Sequence, residues 1–181
     1  VDNSIEAGSS DIDIVLLRES EGTTKRVDKI AIIDNGHGMS PDMLESSIGF
    51  GSTSRGQKQD GLGRFGMGLS KAGIAFTEFL EVYSRPEQSD KLQSVGQFHK
   101  TFIDLRKNSE TYFSDDYYNN VLKGEPPKAV QEEVPNWIED GLGYKKMREA
   151  KTIIVLSNFT ESKRKWGPKV FINRLMDHIG V

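Results

Sequence analysis

"KIAIIDNGHGM", Lys29 to Met39, is the stretch that decides the fold. Val27 to Asp34, "VDKIAIID", is apolar and β-branched, so it reads as a strand. The chain then places an acid, an amide and two glycines in succession: Asp34, Asn35, Gly36 and Gly38. Ser40 follows as a helix cap, with Pro41 at the first helical position and Asp42 near the positive end. That helix runs through "DMLESSIG". A plain turn needs one or two glycines. Here a buried-carboxylate candidate stands beside two flexible backbone points, at a strand-to-helix junction.

Outward from this junction, "DIDIVLL" (Asp11 to Leu17) alternates and is β-branched, which predicts a strand. The polar turn "RESEGTTKR" makes it a hairpin with Val27 to Asp34. Upstream, Val1, Ile5 and Ala7 suggest a helix stopped by Gly8. It starts without a cap or a Met, so the natural protein is expected to extend upstream, with this chain a fragment. Downstream, "FGSTSRGQKQDGLGRFGMG" (Phe50 to Gly68) is a long polar loop, of a length that often serves as a lid or binding loop. "MGLSKAGIAF" looks helical. "FLEVYSR" (Phe79 to Arg85) and "LQSVGQFHKTFIDL" (Leu92 to Leu105) read as paired strands. From about Lys107 to Lys151 the pattern weakens and reads as a variable insertion, with a helix expected around Lys128 to Glu133. "KTIIVLSNF" (Lys151 to Phe159) is a strand. "GPKVFINRLMDHIG" closes as an amphipathic helix with Val170, Phe171, Leu175 and Ile179 near one face. Hairpins with intervening helices predict one α+β domain over 1–181, a mostly antiparallel sheet carrying helices on one face.

Composition narrows the function classes. The chain has 181 residues, net charge −3, 35% apolar and 28% charged residues, which suits one soluble globular domain. It has no cysteine, so disulfides and thiolate metal sites are excluded. That composition fits, without requiring, a cytoplasmic protein. No apolar run approaches a membrane span. The acidic balance gives no nucleic-acid footprint, although a local basic groove stays open.

"GLGRFGMG" satisfies G-x-G-x-x-G through Gly61, Gly63 and Gly66, and Glu81 lies about where a dinucleotide fingerprint expects an acid. A dinucleotide loop follows a buried strand, however, and here "RGQKQD" precedes it. The Walker pattern is absent, since Lys71 is followed by Ala72. Two readings remain: a flexible linker, or a glycine loop opening into a helix whose free N–H groups bind phosphate.

Three separated motifs, "DNS" on the first helix, "DNGHGM" after a strand and "GRFGMG" opening a helix, together resemble the GHKL ATP-binding superfamily. That group includes gyrase B, the heat-shock chaperones of the ninety-kilodalton class, sensor histidine kinases and MutL. The resemblance covers residues 1 to 85 and the strand at Lys151 to Phe159. It implies the Bergerat fold, a two-layer α/β sandwich. It implies ATP and Mg²⁺ as cofactors, with Asn3 as the Mg²⁺ ligand, an oxygen donor of the kind this hard cation takes. It gives Asp34 as the carboxylate that accepts the adenine amino group. Gly36 and Gly38 match the glycines that keep the adenine pocket open. Arg64, Phe65, Gly66, Met67, Gly68 and Leu69 form the phosphate segment. Thr152 matches the threonine near the adenine, although Lys151 replaces the usual preceding glycine. Met39 has two readings: a staple onto Leu44, or a thioether packed on the base.

The resemblance also implies a general-base glutamate one turn before Asn3, upstream of Val1. Glu6 lies on the wrong side to replace it. No catalytic residue is therefore expected in this chain, which is expected to bind nucleotide weakly or not at all and not to turn it over. The lid, about Phe50 to Leu62, is expected to close on Mg-ATP and gate dimerisation or partner binding. "GFGSTSRG" with "GLGRFGMGLSKA" looks closest to the chaperone, MutL and microrchidia branches. Expected partners are ATP or ADP and a nucleotide-dependent homodimer of the full-length protein, with no membrane. A client or nucleic acid cannot be read. A non-hydrolysing nucleotide scaffold is the alternative. A histidine-kinase role would need a phosphoacceptor helix, and none of His37, His99 and His178 lies in one.

Overall fold

The computed structural model describes residues 2–18, 27–47, 77–86, 98–104, 129–159, 170 and 173. Helix α1 spans Asp2–Glu6, followed by strands β1 (Ile12–Arg18) and β2 (Val27–Asp34) and helix α2 (Pro41–Ser47). Strands β3 (Thr77–Ser84), β4 (His99–Asp104) and β5 (Val130–Gln131) come next. Helices α3 (Asn136–Leu142) and α4 (Tyr144–Glu149) precede β6 (Thr152–Phe159).

The six strands form one sheet in the order β1-β2-β6-β3-β4-β5, and every pairing is antiparallel. The last of the described strands in sequence therefore lies inside the sheet, between β2 and β3. Its composition explains this. "TIIVLSNF" is β-branched on both faces, as a strand covered on both sides requires. The expected hairpin β1–β2 forms, with Ile14 opposite Ile32 and a register shift between Leu17 and Arg18.

Strand alternation sorts the core into two faces. On one face Leu80 and Val82 meet Leu44 of α2, with Met39, Ile154 and Leu156 packed against them. Leu44 is fully buried, and its truncation to Ala would cost about 2–5 kcal/mol. On the other face Val15, Ala31, Ile33, Tyr83, Ile153 and Val155 meet Phe98, Ala150 and Ile138 of α3. Helix α3 sits tightly on β1 because Gly141 lacks a side chain. A Cβ there would lie 2.4 Å from Val15 Cγ1. So α2 layers one face, as the sandwich expects, and the short α3–α4 pair covers the other.

Three local expectations meet the structure differently. The expected helix around 128–133 is instead β5, where Val130 and Gln131 pair with Lys100 and His99. Helices α3 and α4 arise in a stretch where no helix was expected. The closing helix lies largely outside the described residues, with Val170 and Asn173 helical. No helix among the described residues is long and apolar enough to cross a membrane.

Candidate functional site

The site is built on the ends of β2, β6 and β3. Registers place Asp34 opposite Thr152, and Thr152 opposite Ser84. Residues directly opposite in a sheet share a face, so these three polar side chains form a row across three strands. All three are buried, Asp34 to 6% exposure and Ser84 to 0%.

Asp34 is held by neutral donors. The Ser4 hydroxyl of α1 donates to its Oδ2 at 2.9 Å. The Gly36 amide donates to Oδ1 at 3.1 Å. An ionised carboxylate has about four lone-pair positions, so each oxygen keeps room for one more donor. The main chain of Asp34 is fixed as well, because Lys151 N–H donates to its carbonyl at 2.8 Å.

The glycines after Asp34 are required by close approach. A Cβ on Gly36 would lie 2.7 Å from Ala7 Cβ and 2.8 Å from Ala7 O, so glycine lets α1 dock on this loop. His37 N–H donates to that same Ala7 carbonyl at 3.0 Å. Gly38 has φ +67°, and a Cβ there would sit 1.9 Å from the Arg85 carbonyl oxygen. Asn35 fastens the loop from the other side. Its Oδ1 accepts the Ser10 and Asp11 amides, both at 3.0 Å, and its Nδ2 donates to Ser10 Oγ at 2.9 Å.

Ser40 caps α2 as expected, accepting the Met43 amide at 3.4 Å on its hydroxyl and the Leu44 amide at 2.8 Å on its carbonyl. Met39 packs in the Leu44 cluster, which matches the staple reading. Its amide donates to Ser84 Oγ at 2.9 Å. Asn3 is exposed on α1, one residue before the serine that holds Asp34. The expected phosphate segment, Arg64, Phe65, Gly66, Met67, Gly68 and Leu69, lies outside the described residues, as does the expected lid.

Three participants were given no role in the sequence, although Ser4 is the serine of the "DNS" motif. The roles of Ser4 and Ser84 emerge only when the fold joins them to Asp34 and Thr152. Arg85, 4% exposed, donates from Nε to the Ala150 carbonyl at 2.9 Å and from one Nη to Met147 and Arg148 carbonyls at 3.0 and 2.9 Å. It thereby satisfies the carbonyl end of α4, where orphan acceptors and the negative dipole favour a cation. Its guanidinium also stacks 4.3 Å over Phe98. Burial, and then the nearby Arg148, pull its pKa down to about 10, so it stays charged at neutral pH. This clamp fixes the 150–151 corner from which Thr152 enters the site.

A family model described as "Histidine kinase-, DNA gyrase B-, and HSP90-like ATPase" matches residues 1–123, about two thirds of the chain. The chain belongs to this family. It is a GHKL-type ATP-binding module, and its antiparallel sheet with layered helices is the α+β architecture of that group. No curated protein matches the chain. The GHKL match spans α1, β1, β2, α2, β3 and β4, and so includes Asp34 and Ser84 but not Thr152.

Proposed function

We propose that this GHKL module recognises the adenine of Mg²⁺-ATP through Asp34, with Thr152 beside it. The observation that carries this reading is the buried Asp34 carboxylate, held by Ser4 and Gly36 yet neutralised by no cation among the described residues. Such a group accepts the adenine 6-amino donor. Guanine would turn an O6 acceptor toward it and leave both groups unpaired. Gly36 and Gly38 serve the base indirectly, by letting Ala7 and the Arg85 carbonyl pack against the loop that carries Asp34, and Met39 reaches the same sheet face from the α2 side.

Asn3 offers one exposed amide oxygen. That donor suits Mg²⁺, which keeps waters and binds through phosphates rather than in an all-protein cage. Arg64 to Leu69 are assigned to the phosphates and Phe50 to Leu62 to a lid, on the resemblance. Closure of that lid gates dimerisation or partner binding in the full-length protein, in the manner of the chaperone, MutL and microrchidia branches.

Asp34→Asn tests the base contact. Calorimetric titration with Mg²⁺-ADP should show binding weakened about 10- to 100-fold, since a hydrogen bond to a charged group is lost. Equal affinity would remove Asp34 from base recognition. Hydrogen exchange of residues 50–62, with and without a non-hydrolysable ATP analogue, tests the lid. Unchanged protection counts against it.

A further inference from the structure

We propose that Ser84 is a positioning residue for base recognition, setting the direction in which the Thr152 hydroxyl donates. The inference rests on the adenine reading above and deepens it. Among the described residues Ser84 Oγ has three polar neighbours. It accepts the Met39 amide at 2.9 Å. It donates to the Lys151 carbonyl at 3.1 Å and lies 3.2 Å from Thr152 Oγ1, where either hydroxyl can be the donor. A hydroxyl carries one proton, so Ser84 serves only one of the last two.

The Lys151 carbonyl already accepts the Arg85 amide at 3.0 Å. It is satisfied without Ser84. The Ser84 proton can therefore switch from Lys151 to Thr152 Oγ1 without stranding that carbonyl, and the Thr152 proton is then released toward a ligand. In the opposite arrangement Ser84 donates to Lys151, Thr152 donates to Ser84, and only lone pairs face the ligand. The Watson–Crick edge of adenine presents an amino donor next to the N1 acceptor. Asp34 as acceptor and Thr152 as donor, neighbours on one sheet face, complement that edge, directly or through one water. Bound adenine selects the arrangement in which Ser84 donates to Thr152.

Removing the Ser84 hydroxyl has two separable effects. Loss of the Met39 anchor weakens all adenine nucleotides alike. Loss of the proton to Thr152 weakens only those that have N1. The test is calorimetry on the full chain with Mg²⁺, comparing ADP with 1-deaza-ADP, in which a C–H replaces N1. The parent should prefer ADP by about tenfold, the scale of one good hydrogen bond. Ser84→Ala should reduce that preference to about twofold or less, and Ser84→Thr should retain it. Ser84→Cys, near in size but a weak donor, should follow alanine and serves if the alanine variant does not fold. An ADP preference unchanged in Ser84→Ala or Ser84→Cys overturns the proposal, as does a parent with no preference. If the parent binds no ADP, or Asp34→Asn binds it equally well, the adenine reading itself fails and this inference with it. If Asp34→Asn weakens binding while the Ser84 variants keep the preference, only the role of Ser84 falls.

Discussion

Asp34 and Glu81 are two shielded carboxylates on one sheet, with β6 between their strands, and their surroundings differ in kind. Glu81 faces the α3–α4 side and is committed. Lys100 Nζ sits 2.7 Å from it, and the Tyr83 hydroxyl donates to it at 3.4 Å. Lys100 also reaches Glu132 at 2.9 Å and lies 5.3 Å over the Tyr83 ring. Asp34 faces the α2 side and, among the described residues, has a hydroxyl and an amide as its donors. An ion pair consumes a carboxylate's charge within the fold. Neutral donors orient the carboxylate and leave the charge for something else. The comparison separates an acid committed to an ion pair from one held by neutral donors.

The largest expected effect comes from breaking the committed pair. Lys100→Met strands Glu81 beside Tyr83 and should lower unfolding free energy by about 2–3 kcal/mol, below the full range for buried pairs because Glu132 is half exposed. Urea unfolding measures this. Nucleotide affinity should stay unchanged; a large loss of ADP binding would erase the distinction drawn between the two acids.

Gly36→Ala should come next, at about 1–2 kcal/mol. Its Cβ meets Ala7 Cβ and O and, at 2.9 Å, Ser9 Oγ, so α1 must shift and loosen the Ser4 contact to Asp34. Here stability and ADP affinity should fall together, unlike Lys100→Met. Thermal unfolding with and without Mg²⁺-ADP reads both.

The smallest effect is alkaline. Burial pulls the Lys100 ammonium down, but hydrogen bonds to Glu81 and Glu132 outweigh it and hold the pKa above its ordinary 10.5. Burial and then Glu81 push the Tyr83 hydroxyl up to about 12. The raised lysine value means that its stabilisation is full below pH 10.5 and is lost as pH rises through the folded value. The parent should therefore lose its advantage over Lys100→Met above pH 10.5, by about 1 kcal/mol or less. A constant gap between the two melting temperatures across that range would contradict the pairing.

Much of the sheet was legible because its strands are β-branched runs bounded by turn residues. Val27–Asp34 matches residue for residue. The α3–α4 pair was not legible. Pro135 and Gly143 stand at the two N-cap positions without a side-chain cap, so the start signal is missing. The "VQEE" stretch carries helix propensity, yet pairing with β4 overrides it. Asp34 stood out because a strand ends there in an acid followed by glycines. Ser4, Ser84 and Arg85 did not, because their meaning lies in partners 30 to 68 residues away.

The strand order carries a further consequence for how the chain reaches its folded form. Strands β1 and β2 zip locally, as do β3 and β4, but within the sheet neither hairpin pairs with the other except through β6. On a ribosome, the two halves wait until residue 159 has emerged before the sheet can close, which exposes two open β edges meanwhile. The row of Asp34, Thr152 and Ser84, drawn from both halves and the keystone strand, is then among the last features to be assembled.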